Sequence, residues 1–352
     1  MASPAAETVS VTQNALWRGD SDRTGFADSP PLGNSVQIVW SVQMDEASFA
    51  SPILASGILF AGGDDGIMHA LDASTGEPIW EYRAGDEVSS SPAIQDGVAY
   101  FGSFDGVFHA LDAATGQEIW KVDTGSSIHS SPIVANGMVL FGNYGGTFYA
   151  LDAQTGDEVW RIDGSAQISS SPAISDGTVV YSDTDGIVHA VSLTDGSEIW
   201  EFQADGSIFA TAAISDGKVV IGDFSNRMYA LRLSDGSVDW QLPTGGAVYS
   251  SAAISDGTVF VGCDDGNVYS FALADGAVDW FLPTGDQVRS SPVVAGEQVI
   301  VGSYDGTIYG IDRGTGEVRW SQQVGSSAAV TIDDGVVYAI TVDGRILAIG
   351  NA

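Results

Sequence analysis

Eight tryptophans, Trp40, Trp80, Trp120, Trp160, Trp200, Trp240, Trp280 and Trp320, stand 40 residues apart without a slip. A period near 40 marks a repeat architecture, in which each unit buries its faces only against its neighbours. Within a unit the residues read as four short β segments, here named A to D: Ser-Ser-Ser-Pro-Ala-Ile (89–94), Val-Ala-Tyr-Phe-Gly-Ser (98–103), Val-Phe-His-Ala-Leu-Asp (107–112) and Glu-Ile-Trp-Lys-Val-Asp (118–123). Asp96-Gly97, Asn136-Gly137, Asp176-Gly177, Asp216-Gly217, Asp256-Gly257 and Asp334-Gly335 separate A from B, and such pairs favour two-residue hairpins with positive φ at both positions. Asp65-Gly66, Asp105-Gly106, Asp185-Gly186, Asp265-Gly266, Asp305-Gly306 and Asp343-Gly344 predict the same chemistry between B and C. A four-stranded meander is too small to cover both of its faces, so stacking around an axis is the economical solution, and the fold class is an all-β propeller.

Counting strands gives the number of blades. Seven complete A-to-D sets end at Trp80 through Trp320; residues 327–349 supply an eighth A, B and C without a D, and residues 35–40 (Ser-Val-Gln-Ile-Val-Trp) supply a D without the rest. The prediction is an eight-bladed ring of four-stranded antiparallel blades over residues 35–352, closed three plus one by strand 35–40 and preceded by a lead-in at 1–34. Closure removes an edge that invites aggregation.

The segment before each tryptophan, as in Ala70-Leu-Asp-Ala-Ser-Thr-Gly-Glu-Pro-Ile-Trp80 and Ala110-Leu-Asp-Ala-Ala-Thr-Gly-Gln-Glu-Ile-Trp120, resembles the tryptophan-docking motif of pyrroloquinoline-quinone (PQQ) type propellers. Residues 310–320 keep Asp312, Thr315, Gly316 and Trp320, whereas the units ending at Trp200, Trp240 and Trp280 have Asp-Gly in place of Thr-Gly. Trp17-Arg18-Gly19-Asp20 with Arg23-Thr24-Gly25 resembles the lead-in of such propellers, and its Arg-Gly-Asp tripeptide reads as a surface turn. The eight repeat tryptophans read as structural, each packing from the outer strand onto the next blade. Two readings of function follow from the resemblance. One is a non-catalytic scaffold similar in architecture to the propeller lipoprotein of the outer-membrane β-barrel assembly machinery, with another protein as partner and no cofactor, although this chain has no N-terminal lipidation cysteine. The alternative is a quinoprotein oxidoreductase, or a PQQ-binding remnant of one, with calcium beside the quinone. Uniform spacing leaves no room for that family's insertions, and a single cysteine excludes its vicinal disulfide. Members are mostly extracytoplasmic, which implies the periplasm, cell surface or secretion.

Charge narrows the partners further. Twelve basic against 46 acidic residues give −34, a field that repels nucleic acid and anionic membranes. Lys121 and Lys218 are the only lysines, and the acid excess is mostly Asp, a pattern that suits a solvated shell screened by high salt. No apolar run is long enough to cross a membrane, and Met-Ala-Ser-Pro-Ala-Ala-Glu at the start lacks the basic and apolar regions of a signal peptide. The expected species is a monomeric propeller without direct membrane insertion.

Most residues with catalytic potential have structural explanations. The Asp-Gly carboxylates belong to turns, and neither 182–186 nor 264–266 carries the ligand set of a calcium loop. His69, His109 and His189 share one strand-C position with Tyr149, Tyr229, Tyr269 and Tyr309, which reads as a packing slot, and Cys263 reads as a buried thiol. No catalytic or metal-binding residue is assigned. The repeat stops repeating just before the Ser-Pro of strand A, at Phe49, Ser89, His129, Ser169, Phe209, Tyr249, Arg289 and, with a two-residue shift, Ser327. With strand A innermost, this ring predicts a recognition site at one channel mouth. Phe49, Phe209 and Tyr249 also suit sugar stacking.

Overall fold

The computed structural model describes residues 10–352. The segment read above for a signal peptide and the first part of the lead-in (1–9) lie outside them. Eight sheets, each a meander, form an eight-bladed β-propeller. Blade 2 is typical, with strands A to D at Ala93–Gln95, Val98–Gly102, Val107–Asp112 and Glu118–Asp123. Blades 1 to 7 span 53–83, 93–123, 133–163, 173–203, 213–243, 253–283 and 293–323. In blade 8 the N-terminal strand Val36–Gln43 pairs antiparallel with Arg345–Asn351, closing the ring three plus one.

Strand A is shorter than the sequence suggests. Residues 89–92 are outside it, and the strand starts at the same place in blades 5 and 6, where Ala212 and Ala252 replace the proline. The A–B turns have the expected geometry, with φ of 51° at Asp96 and 80° at Gly97. The B–C turns differ: only the last turn residue has positive φ, a glycine as at Gly66 (76°) or, in blade 5, Asn226 (63°), and the Gly66 N–H returns to the Gly63 carbonyl at 3.1 Å. The aspartate there serves through its side chain, Asp65 Oδ1 accepting from the Ile67 N–H at 2.9 Å. This is a type I turn closed by a left-handed residue rather than a two-residue hairpin.

The apolar core lies between blades. Val180, Val188 and Trp200 of blade 4, for example, pack with Val219, Ile221, Tyr229 and Leu231 of blade 5. Each tryptophan from Trp40 to Trp280 donates its indole N–H to a carbonyl in the next blade, as Trp200 does to Leu233 (2.7 Å) and Trp280 to Arg313 (2.9 Å). Its ring lies on the glycine of that blade's C–D turn, so close that a Cβ at Gly236 would come within 2.6 Å of Trp200. Both versions of the motif build this turn. Asp72 accepts from the N–H groups of Ser74 and Thr75 at 2.9 and 3.0 Å, whereas in the Asp-Gly version Asp235 accepts from the Ser237 N–H at 3.0 Å. Trp320 is the exception because the C–D turn it would dock on is the chain break of blade 8. It donates instead to Gln298 Oε1 at 3.1 Å and rests on Gly310, where a Cβ would lie 2.1 Å from the ring.

The lead-in runs across the inner strands. Carbonyls of Ala15, Ser21, Asp22, Thr24 and Gly25 accept from the N–H groups of Ile94, Ile174, Ile214, Ile254 and Val294 at 2.7–2.8 Å. Phe26–Ala27 then adds a short parallel strand to blade 7, making that sheet five-stranded. Inner edge strands otherwise point unpaired N–H groups into the channel, and this segment satisfies five of them.

Candidate functional site

Arg18 and Arg23 form the hub of the channel, so the Arg-Gly-Asp tripeptide is not a surface turn. Arg23 is fully buried and Arg18 is 6% exposed. Arg23 donates to the carbonyls of Pro172 (3.0 Å), Pro132 (2.8 Å), Ser131 (3.3 Å) and Trp17. Arg18 donates to those of Arg23 (3.1 Å), Pro292 (3.5 Å) and Ala252. The residue before each strand A, proline in most blades and Ala252 in blade 6, turns a carbonyl inward, and the two guanidiniums gather these carbonyls from several blades. Burial lowers both guanidinium pKa values, and the oxygens compensate for the lost water.

Above the hub is a belt of hydroxyls. The backbone N–H of Ser51 donates to Ser91 Oγ, and the relay continues through Ser131, Ser171, Thr211, Ser251 and Ser291 at 2.8–3.0 Å, each step 40 residues long. Ser51 Oγ, at the open end, accepts the Trp17 indole N–H at 3.0 Å. Trp17 is thereby fixed as the floor of a cavity of about 120 Å³ at the opposite mouth from the lead-in strand.

Phe49, Ser89, His129, Ser169, Phe209, Tyr249 and Arg289 all line this cavity. Ser327 does not. The eighth member is Ala329, in direct 40-residue register with Arg289, and Ser327 matches Gln287: its carbonyl accepts from Val342 as that of Gln287 accepts from Tyr304. The two missing residues are the Ser-Pro step itself, so strand A of blade 8 is a continuous six-residue strand, Ala328–Asp333.

A second ring completes the mouth. The first residue of each B–C turn also varies, giving Asp64, Phe104, Tyr144, Thr184, Phe224, Asp264 and Tyr304. Phe224 packs on Phe209 and Tyr249 with ring centroids 4.7 and 5.8 Å apart, and Phe104 on His129 and Tyr144 at 6.2 and 5.6 Å. Arg289 lies over Tyr249 and Tyr304 and makes a bidentate pair with Asp264 at 2.9 and 2.8 Å. Phe49 is 57% exposed and Phe224 37%. On the other arc Ser89 Oγ donates to Asp64 Oδ1 at 3.3 Å, and burial, with Glu87 nearby, pushes the Asp64 carboxyl up to about 6. Burial lowers the pKa of His129.

The remaining candidates are accounted for locally. The His/Tyr position on strand C is a hydrogen-bonding slot that holds the B–C turn: His69 and His189 reach Asp65 and Asp183 at 3.1 and 3.0 Å, and Tyr309 donates to Asp305 at 2.7 Å. In blade 2 His109 instead bonds Ser103 and Tyr82, and burial lowers its pKa to about 4. Asp183 also accepts the N–H groups of Asp185 and Ile187, so the carboxylate in 182–186 is already engaged. Cys263 is buried, donates to the Gly246 carbonyl, and has its thiol pushed up to about 12 by burial.

Comparison with known proteins places this architecture. The family described as the β-propeller of the beta-alanine-activating enzyme matches residues 50–258, and that described as outer membrane protein assembly factor BamB matches residues 243–352. No curated protein matches. Among solved structures, BamB from Moraxella catarrhalis is 21% identical over 90% of this chain and 99% of that one, with a TM-score of 0.78. The computationally designed Ika8 protein is 22% identical over 89% and 99%, with a TM-score of 0.80. Quinohemoprotein alcohol dehydrogenase from Comamonas testosteroni is 15% identical over 98% and 82%, with a TM-score of 0.84. At such identities the likeness is one of fold. With more than half of its length matched by a single family, this chain belongs to the β-propeller family of the beta-alanine-activating enzyme, and its repeat is of the PQQ type seen in BamB.

Proposed function

We propose that this protein is a non-catalytic, monomeric recognition scaffold that holds a partner protein on the aromatic mouth of its channel, in a salty extracytoplasmic compartment. The observation that carries this reading is the coincidence of two variable repeat positions, one on strand A and one on the B–C turn, at the same mouth. Exposed aromatics and an arginine at the centre of a patch are the composition of interaction hot spots. The likeness to BamB, described as an assembly factor, supports a protein partner over a sugar.

A resident PQQ with calcium fits these residues poorly. The cavity is about 120 Å³, against about 300 Å³ for the smallest typical ligand pockets. Trp17, Arg18 and Arg23 occupy the axis beneath it. Asp264 is held by Arg289, and no group of three or more His, Cys, Asp or Glu among the described residues is placed to hold a metal. The test is photo-crosslinking from a benzoylphenylalanine at Phe224, with one at the exposed outer-rim Val159 as control. The expected result is a defined protein adduct from Phe224 alone, lost in the Tyr249→Ala background; equal labelling from both sites would overturn the assignment.

A further inference from the structure

A groove runs along the outer flank of each blade junction, bounded by the A–B turns of two successive blades, the C–D turn of the later blade and the tryptophan of the earlier one. At three junctions the chain fills it with its own polar side chains. Between blades 5 and 6, Lys218 donates to the carbonyls of Leu273 and Ala274 at 3.1 and 2.8 Å and pairs with Asp239. Between blades 6 and 7, Arg313 spans Ser255 (3.1 Å), Asp256 (2.7 Å) and Glu297 (3.0 Å). Between blades 7 and 8, Gln298, in the repeat position of Lys218, accepts from Trp320 and donates to the Leu32 carbonyl at 2.7 Å.

The junction of blades 2 and 3 has the same walls and a different filling. Val98 stands where Lys218 is and Ala153 where Arg313 is, and these short side chains leave a cavity of about 390 Å³ beside Trp120. Gln95 and Asp96 occupy the places of Ser255 and Asp256, and Asn136 lies across the groove. The repeat therefore displays, at junctions three and four steps around the ring, what such a groove accepts.

We propose that the blade 2–blade 3 groove is a docking site for an arginine side chain presented by a partner polypeptide, its guanidinium on Asp96 and Gln95 and its stem over Val98 and Trp120. Arginine is preferred to lysine for two reasons. The Ala153 carbonyl already accepts from Trp120 Nε1 (3.1 Å) and Tyr100 (2.9 Å), so an ammonium placed like that of Lys218 loses an acceptor. The carboxylate that receives Lys218 is Asp239, whose counterpart here is Ile119, whereas of the two that receive Arg313 the Asp256 position is retained as Asp96 and the Glu297 position is Gly137. A chain of net charge −34 also draws basic partners from a distance. The site is separate from the channel mouth, and neither proposal depends on the other.

The test is an NMR titration of the full chain with acetyl-Ala-Arg-Ala-amide in 1 M salt, where a screening length of about 3 Å suppresses general attraction to the acidic surface. Saturable shifts of the Trp120 indole N–H and the Asn136 amide are expected, at least tenfold weaker in affinity for the lysine analogue and in Asp96→Asn. Ala153→Arg fills the groove from within and abolishes the shifts. Arg313→Ala opens a second groove and adds shifts at the Trp280 indole. The proposal is overturned by equal binding of the lysine peptide, by undiminished binding in Asp96→Asn, or by no saturable shift at Trp120.

Discussion

Replacing Arg23 by methionine tests whether the lead-in is a structural hub. The variant keeps a long side chain on the axis and removes every donor, leaving the carbonyls of Pro172, Pro132, Ser131 and Trp17 unpaired in a buried site. Hydrogen bonds to a charged group contribute about 1.5–3 kcal/mol each, and the desolvation of the cation, which the variant avoids, offsets part of that. Two well-formed bonds, at 2.8 and 3.0 Å, and two less regular ones therefore give a net loss of about 3–5 kcal/mol. With an unfolding entropy of about 2.1 cal/mol/K per residue, 352 residues convert this to a fall in Tm of about 4–7 °C. The assay is differential scanning calorimetry in molar salt, with Arg161→Met, an exposed residue paired only with Glu158 and Asp163, as control. A hub variant that melts within one degree of wild type would refute the reasoning.

Three further predictions concern closure, packing and pH. Deleting residues 1–40 removes most of the strand that covers Arg345–Asn351 together with the hub, and should abolish the cooperative transition followed by circular dichroism; an unchanged melt would show that closure is dispensable. Gly310→Ala forces a Cβ to within 2.1 Å of Trp320 and should cost about 1–3 kcal/mol, shifting indole fluorescence, while Gly314→Ala, with its nearest atom at 3.5 Å, should be silent. Asp64 is raised in the folded state, so its stabilising contribution is complete below the unfolded value near 3.8 and is lost as pH rises through about 6. Asp64→Asn should therefore melt higher than wild type at pH 7.5 but not at pH 4, and a pH-independent difference would contradict that origin.

What was legible in the sequence was what the repeat enforces locally. Asp-Gly and Asn-Gly between A and B require positive φ wherever they occur, and Trp at a 40-residue period requires a neighbour to dock on, so blade number and closure follow from order alone. The channel was harder to read. An arginine between tryptophan and glycine looks like a surface residue until the inward carbonyls of Pro132, Pro172 and Pro292 are brought together, and that convergence is a property of the closed ring. The serines of the belt at 51, 91 and 131 read as strand residues because their partners lie one full blade away. Phe104, Tyr144, Phe224 and Tyr304 carried a usable signal, since their position varies as freely as that of Phe49 and Arg289. Ser327 was misplaced because the loss of Ser-Pro in blade 8 is visible as a two-residue deficit, whereas its location depends on backbone pairing.

The proposed function has this PQQ-type propeller working through its aromatic mouth without holding a quinone. Calorimetric titration with PQQ and calcium at molar salt, while following visible absorption, tests it most directly. The account predicts no binding heat and no quinone absorbance retained after gel filtration; stoichiometric uptake of PQQ would contradict it and return the channel to the oxidoreductases.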